Sequence, residues 1–152
     1  MSRTHIPLAL LAADETDLQV VSSVMQDAIA KVGDMAYLPA QRRFALVANR
    51  FVWEEGATKE RGPFSRVRTG LHFDDVTRVR AKNVDLAAKG AVVDILSLGF
   101  ESEGEEGAGV ITLTLAGGGA VALTVDAINA QARDLSDPWR TRSRPDHSQG
   151  PA

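Results

Sequence analysis

The sequence predicts a small α+β domain that is mostly antiparallel β-sheet, with one helix near the start and another at the C-terminal end. Residues 43–53 form the longest apolar stretch of strand character, and both faces of that strand are largely apolar. A strand that is covered on both sides belongs to a barrel or a sandwich rather than to a bare surface sheet. Residues 110–125 predict a hairpin around three glycines, and residues 126–135 switch to helical spacing.

The N-terminal third predicts a strand, a helix and a hairpin. Residues 5–13 are mostly apolar, and Asp14 is a suitable N-cap for a helix over 15–27, with acidic residues in its first turn. An extended segment is the alternative there, because the stretch contains several β-branched valines. Gly33 and Asp34 separate two short apolar segments, 29–32 and 35–38, and this predicts a tight hairpin turn.

The remaining elements are mainly strands. Residues 54–64 are polar and contain glycine and proline, which predicts a surface loop. Apolar and polar residues alternate over 66–74, which predicts a half-buried strand, and 76–81 and 92–100 predict two more. The hairpin pairs 110–116 with 120–125, and Pro138 stops the helix over 126–135.

These elements predict one strand-rich globular domain over residues 1–137 and a disordered tail over 138–152. The favoured architecture is a small barrel or sandwich, specifically a bent barrel capped by the C-terminal helix as in a pleckstrin-homology fold. This is an analogy of pattern, since the order of the strands does not follow from the sequence.

Composition excludes several kinds of chemistry. The chain has no cysteine, so it has no disulfides, no thiolate nucleophile and no cysteine-ligated metal centre. No window resembles a membrane span, and the short apolar segment near the N-terminus is a poor signal peptide. No nucleotide, metal or cofactor motif is present: the glycine triplet 117–119 joins two strands, whereas phosphate loops lead into a helix.

Charge is the most informative feature for function. Residues 42–82 carry ten basic and five acidic side chains, whereas residues 83–137 carry two basic and nine acidic ones. If the arginines on adjacent strands share a face, they form a basic patch for an acidic protein partner or a small anionic ligand. The candidate ligand-binding residues of this patch are Arg50, Arg66, Arg68 and His72.

Arg50 is the most informative of these residues because it interrupts an apolar strand face and therefore needs a partner. The alternative is that the arginines pair with the chain's own carboxylates. His72 and Asp74 lie two residues apart on one strand face and are weak catalytic candidates, as an acid–base pair of a small enzyme. A solvated polar strand face is the simpler explanation of that pair.

Two further partner classes were weighed. The acidic balance and the scarcity of aromatic residues among the basic positions argue against nucleic acid. A structural homodimer, formed through an uncovered apolar strand face or a sheet edge, is a third hypothesis beside the binding domain and the enzyme.

Several segments together resemble a bacterial family of uncharacterised proteins, domain of unknown function 2948. They are LLAADETDL (10–18), MQDA (25–28), RRFAL (42–46), NRFVWE (49–54), LHF (71–73), LAGGG (115–119) and PDH (145–147). The resemblance covers nearly the whole chain. It implies a bacterial, cytoplasmic protein without a cofactor, and it supplies no catalytic residues to transfer.

Overall fold

The computed structural model of the protein describes residues 6–52, 64–104 and 107–141. Within these ranges one α-helix, α1 (Glu15–Met25), accompanies a single 11-stranded sheet. The strands are β1 (Ala9–Ala12), β2 (Ala28–Lys31), β3 (Met35–Leu38), β4 (Arg43–Phe51), β5 (Phe64–Phe73), β6 (Val76–Lys82), β7 (Val92–Ser102), β8 (Gly109–Leu115), β9 (Ala120–Val125), β10 (Ala130–Asp134) and β11 (Trp139–Thr141).

Every strand pairing is antiparallel, which confirms the predicted class. The strands follow the order β1-β10-β5-β4-β2-β7-β8-β9-β6, while β11 pairs with β5 and β3 pairs with β4. Within the described residues the terminal strands β1 and β6 do not pair with each other, so the sheet is open rather than a closed barrel. The sheet is curled, because the amide of Val76, in β6, donates to the carbonyl of Arg42, which precedes β4.

One face of the sheet, which we call the core face, carries the hydrophobic core. Leu18, Val21 and Met25 of α1 pack against core-face residues such as Phe44 and Leu113. The helix begins as predicted, since the Asp14 carboxylate accepts a hydrogen bond from the Asp17 amide at 2.7 Å. The opposite face, the outer face, is partly polar along β4, β5 and β10, and the candidate site lies there.

The predicted C-terminal helix is wrong. Its segment contains β10, which lies between β1 and β5 in the sheet. Ala130, Ala132 and Asp134 are buried and alternate with the more exposed Gln131 and Arg133, which is the period of a strand. Helical spacing misled because alanine has little strand preference of its own, and pairing to two neighbouring strands determined the structure instead. The helix that would have capped a pleckstrin-homology-like barrel is therefore absent.

The predicted hairpin around Gly33 and Asp34 is also wrong. These residues form a short 3₁₀ helix, Val32–Asp34, and β2 and β3 both pair with β4 instead of with each other. The second edge of β2 pairs with β7. The turn chemistry was compatible with a hairpin, but pairing with strands distant in sequence took both segments.

The other predicted strands agree with the structure where it describes them. The β8–β9 hairpin is confirmed, with the Leu115 amide donating to the Gly119 carbonyl at 2.8 Å. Gly117 and Gly118 have φ values of 89° and 97°, which explains the need for glycine in that turn. Trp53 and most of the predicted loop 54–64 lie outside the described residues. Of the predicted tail, 139–141 form β11 beside β5, and 142–152 lie outside the described residues.

Candidate functional site: the outer face of the sheet

Arg50 faces the core and pairs there with Asp134 of β10. Its Nε and one terminal nitrogen each lie 2.9 Å from a different carboxylate oxygen of Asp134, and both side chains are fully buried. Asp134 also accepts hydrogen bonds from the Thr69 hydroxyl and from the Leu8 amide, each at 2.8 Å. The structure thus places Arg50 in the interior, where its guanidinium holds three strands and the N-terminal segment together instead of facing the solvent.

The surroundings of Asp134 make folding stability depend on acidity. Burial by itself raises the pKa of Asp134, but hydrogen bonds from Arg50, Leu8 and Thr69 outweigh it and lower the pKa from 3.8 to about 2. A lowered folded pKa contributes stability that is complete above the unfolded pKa and is lost as the pH falls through the folded value. The group therefore stabilises the fold at neutral pH and ceases to do so in strong acid.

We expect this contribution to be about 2 kcal/mol and to disappear between about pH 4 and about pH 2. Urea denaturation of the wild type and of Asp134→Asn across this range measures it, because the variant lacks the titrating group. The stability gap between the two proteins should narrow by that amount on acidification. A gap that stays constant with pH contradicts the assignment.

Arg66 lies on the outer face, but its guanidinium is largely committed to the backbone. One terminal nitrogen donates to the carbonyl of Asn49 at 3.0 Å and to that of Asp27 at 3.3 Å. Burial lowers the pKa of Arg66, and the nearby carboxylates of Asp94 and Asp27 partly offset this. Arg66 is therefore a half-buried support beneath the site and less available than its neighbour Arg68.

His72 and Asp74 are close together but are not hydrogen bonded to each other. His72 Nε2 lies 3.7 Å from Asp74 Oδ2, and Arg43 already binds both oxygens of that carboxylate, at 2.7 and 3.3 Å. Burial lowers the pKa of His72, the Arg43 charge lowers it further, and Asp74 opposes both effects. The imidazole is therefore neutral at neutral pH, and Asp74 serves mainly as the counter-ion of Arg43.

Three exposed cations share the outer face: Lys31, Arg68 and Arg133. Arg133 pairs with Gly70 and Gly70 with Val47, while the neighbouring row joins Arg68 to Asn49. Directly paired residues point to the same face of a sheet. Within the described ranges none of the three cations forms a salt bridge, so their charges are available to a ligand.

Two adjoining depressions lie between these cations and share the side chain of Val47. The first, about 240 Å³, has Gly70 in its floor and is bordered by His72, Arg133 and Leu135. We call it the Gly70 depression. Leu135 is 51% exposed, so it offers an apolar edge to a ligand. The position of Gly70 leaves the floor open, since a Cβ there would lie 3.3 Å from Leu135 Cδ1.

The second depression, which we call the Asn49 depression, is more polar and measures about 450 Å³. Lys31 and Arg68 border it together with the carboxylate of Asp34. The side-chain oxygen of Asn49 is buried and has no hydrogen-bond partner among the described residues. Since a buried acceptor without a partner costs free energy, this oxygen favours a ligand that brings an N–H or O–H donor.

The structure divides the predicted basic patch into separate parts. Arg68 and His72 lie together on the outer face, Arg66 lies beneath them, and Arg50 lies in the core. Arg42 pairs with Asp126 and Arg43 with Asp74, as the alternative of internal pairing had foreseen for part of the set. Arg78 and Arg80 lie on β6, at the far end of the strand order.

Sequence analysis missed Lys31 and Arg133. Lys31 fell in the predicted hairpin and Arg133 in the predicted helix, so neither was assigned to a sheet face. The signal that could have found Arg133 is the alternation Ala130, Ala132 and Asp134 around it, which has the period of a strand.

Comparison with known proteins gives a family but no activity. A family model described as "Protein of unknown function (DUF2948)" matches residues 8–147. No curated protein and no solved structure matches the chain. Among the described residues, no helix has the length and apolar character needed to cross a membrane, and no group of three or more acidic or histidine side chains could hold a metal ion.

Proposed function

Because the chain belongs to the DUF2948 family, whose description assigns no activity, we propose from geometry that it is a non-catalytic binding domain for an acidic segment of a partner protein. The segment lies across the outer face over the Gly70 and Asn49 depressions. An apolar side chain enters the Gly70 depression, and carboxylates meet Arg68, Arg133 and Lys31.

The observation that carries this proposal is the trio of exposed cations around two adjoining depressions. Lys31, Arg68 and Arg133 have no internal counter-ions among the described residues, and Asp34 is the one acidic residue that lines either depression. The local charge is therefore positive although the whole chain carries −3. A surface of this sign attracts acidic partners and repels basic ones.

The dimensions favour a polypeptide segment over a small anion. The depressions span β10, β5, β4 and β2, which is about 14 Å at the usual spacing of strands. Four or five extended residues cover that distance, at about 3.3 Å for each residue. Leu135 and Val92, which are 51% and 61% exposed, give apolar contacts at the edges that a small anion would not use.

The Asn49 oxygen supports the same choice. A backbone N–H of a bound segment would satisfy this buried acceptor, whereas a phosphate or carboxylate ion has no donor to offer it. A bound segment would thus supply an N–H for Asn49, carboxylates for the cations and an apolar side chain for the Gly70 depression.

The other hypotheses have less support. An enzyme with His72 and Asp74 as its acid–base pair would need a hydrogen bond between them, and Asp74 is instead held by Arg43. The homodimer, the bacterial and cytoplasmic setting and the exclusion of nucleic acid stay predictions.

The Gly70 depression gives a test with a matched control. Gly70→Leu should fill the depression and weaken binding of the labelled peptide EDLDE, a leucine flanked by acidic residues, by about tenfold or more, because the peptide's leucine loses its buried surface. Gly99→Leu places the same bulk on an open part of β7, where a Cβ meets nothing within 4 Å, and should leave binding unchanged. Fluorescence anisotropy at low salt measures both. Absence of saturable binding by the wild type, or equal effects of the two substitutions, contradicts the proposal.

A further inference from the structure

The strand β6 forms one end of the sheet and is independent of the outer-face site. It pairs with β9 along one edge and lies last in the strand order. Apart from Val79, the residues from Thr77 to Lys82 are exposed. The second edge of an end strand presents backbone N–H and C=O groups that can pair with another extended chain.

Three cations lie along this strand on one face. Arg78, Arg80 and Lys82 pair across the sheet with Thr124, Ala122 and Ala120 of β9, so they point away from the core. The intervening Val79 and Ala81 pair with the buried Leu123 and Val121 and point toward it. Within the described residues none of the three cations forms a salt bridge.

A second copy of the chain is a poor occupant of this edge. Two β6 strands placed side by side would bring Arg78, Arg80 and Lys82 of one copy close to the same cations of the other. Like charges on adjacent strands are destabilising, so the basic row opposes self-pairing and aggregation. The same row attracts an acidic strand.

We propose that β6 is a second docking site, which accepts an acidic extended segment of a partner protein by strand addition. Backbone hydrogen bonds to the open edge hold the segment, and its acidic side chains at alternate positions meet Arg78, Arg80 and Lys82. The residues between them are apolar and β-branched, because they lie beside Val79 and Ala81. The preferred ligand therefore alternates acidic and apolar residues, unlike the clustered acidic residues expected for the outer face.

The blocked peptide EVEVEVE tests this pattern, with EVEPEVE as its control. Proline keeps the charges but removes a backbone donor and disfavours a continuous strand. In nuclear magnetic resonance titrations of the full chain, EVEVEVE should shift the amide signals of residues 77–82 and bind at least about tenfold more tightly than the control. Equal binding of the two peptides, or shifts confined to the outer face, overturns the proposal.

Charge variants separate this site from the outer face. Arg78→Glu with Arg80→Glu should weaken EVEVEVE binding by about tenfold or more, because attraction becomes repulsion at two positions. Arg68→Glu with Arg133→Glu should leave the shifts of 77–82 in place. All four arginines are exposed, so the thermal unfolding temperature should change little. Loss of the 77–82 shifts in the outer-face variant, or their retention in the β6 variant, overturns the proposal.

Discussion

Asp134→Ala is expected to lower the free energy of unfolding by about 3–5 kcal/mol, because it leaves the guanidinium of Arg50 buried without its carboxylate. The same change removes the acceptor for the Thr69 hydroxyl and the Leu8 amide. Whole domains are stable by only about 5–15 kcal/mol, so this one substitution should bring the protein close to unfolding. Urea denaturation at pH 7 measures the loss.

A double substitution shows whether the loss comes from the stranded charge. Arg50→Met with Asp134→Leu replaces the pair by apolar groups, and it should be clearly more stable than Asp134→Ala alone, since a buried ion pair contributes little beyond a hydrophobic replacement. If Asp134→Ala costs less than about 1 kcal/mol, Arg50 is not buried as described. If the double variant is as unstable as the single one, the loss does not come from an unpaired charge.

Arg68→Glu combined with Arg133→Glu is expected to weaken binding of the EDLDE peptide by about tenfold to a hundredfold. Each reversal replaces an attraction between exposed charges by a repulsion, and each such exchange is worth about 1 kcal/mol. The fold should be unaffected, since both side chains are exposed and have no salt-bridge partner among the described residues. Binding of the wild-type protein should also weaken as salt is added.

Arg78→Glu with Arg80→Glu is the matched control, because it changes total charge by the same amount at the far end of the strand order. EDLDE binding should survive this change. If both double variants weaken binding equally, the peptide responds to net charge alone and the outer face is not its site.

Local patterns predicted the elements that depend on neighbouring residues. The helix α1 followed from its N-cap at Asp14, and the β8–β9 hairpin followed from its glycine turn. The predicted C-terminal helix and the hairpin at Gly33 were wrong because both segments pair with strands that are distant in sequence. Local spacing carries no information on such pairing.

The candidate site was predictable to the same extent. The interruption of an apolar strand face showed that Arg50 needs a partner, but Asp134 lies 84 positions away and in a segment predicted to be helical. Arg68 and His72 were assigned correctly to one polar strand face. Lys31 and Arg133 reach the same surface only through the pairing of β2 and β10 with their neighbours, and the sequence does not reveal that order.

The central claim is that an acidic segment binds across the outer face, and mapping the peptide contact residue by residue tests it most directly. Titration of the isotope-labelled full chain with EDLDE should move the amide signals of Val47, Arg68, Gly70 and Arg133 most, and the side-chain amide of Asn49 with them. Shifts that are absent, or that lie mainly along β6 and β9, would contradict the assignment of the outer face as the binding surface.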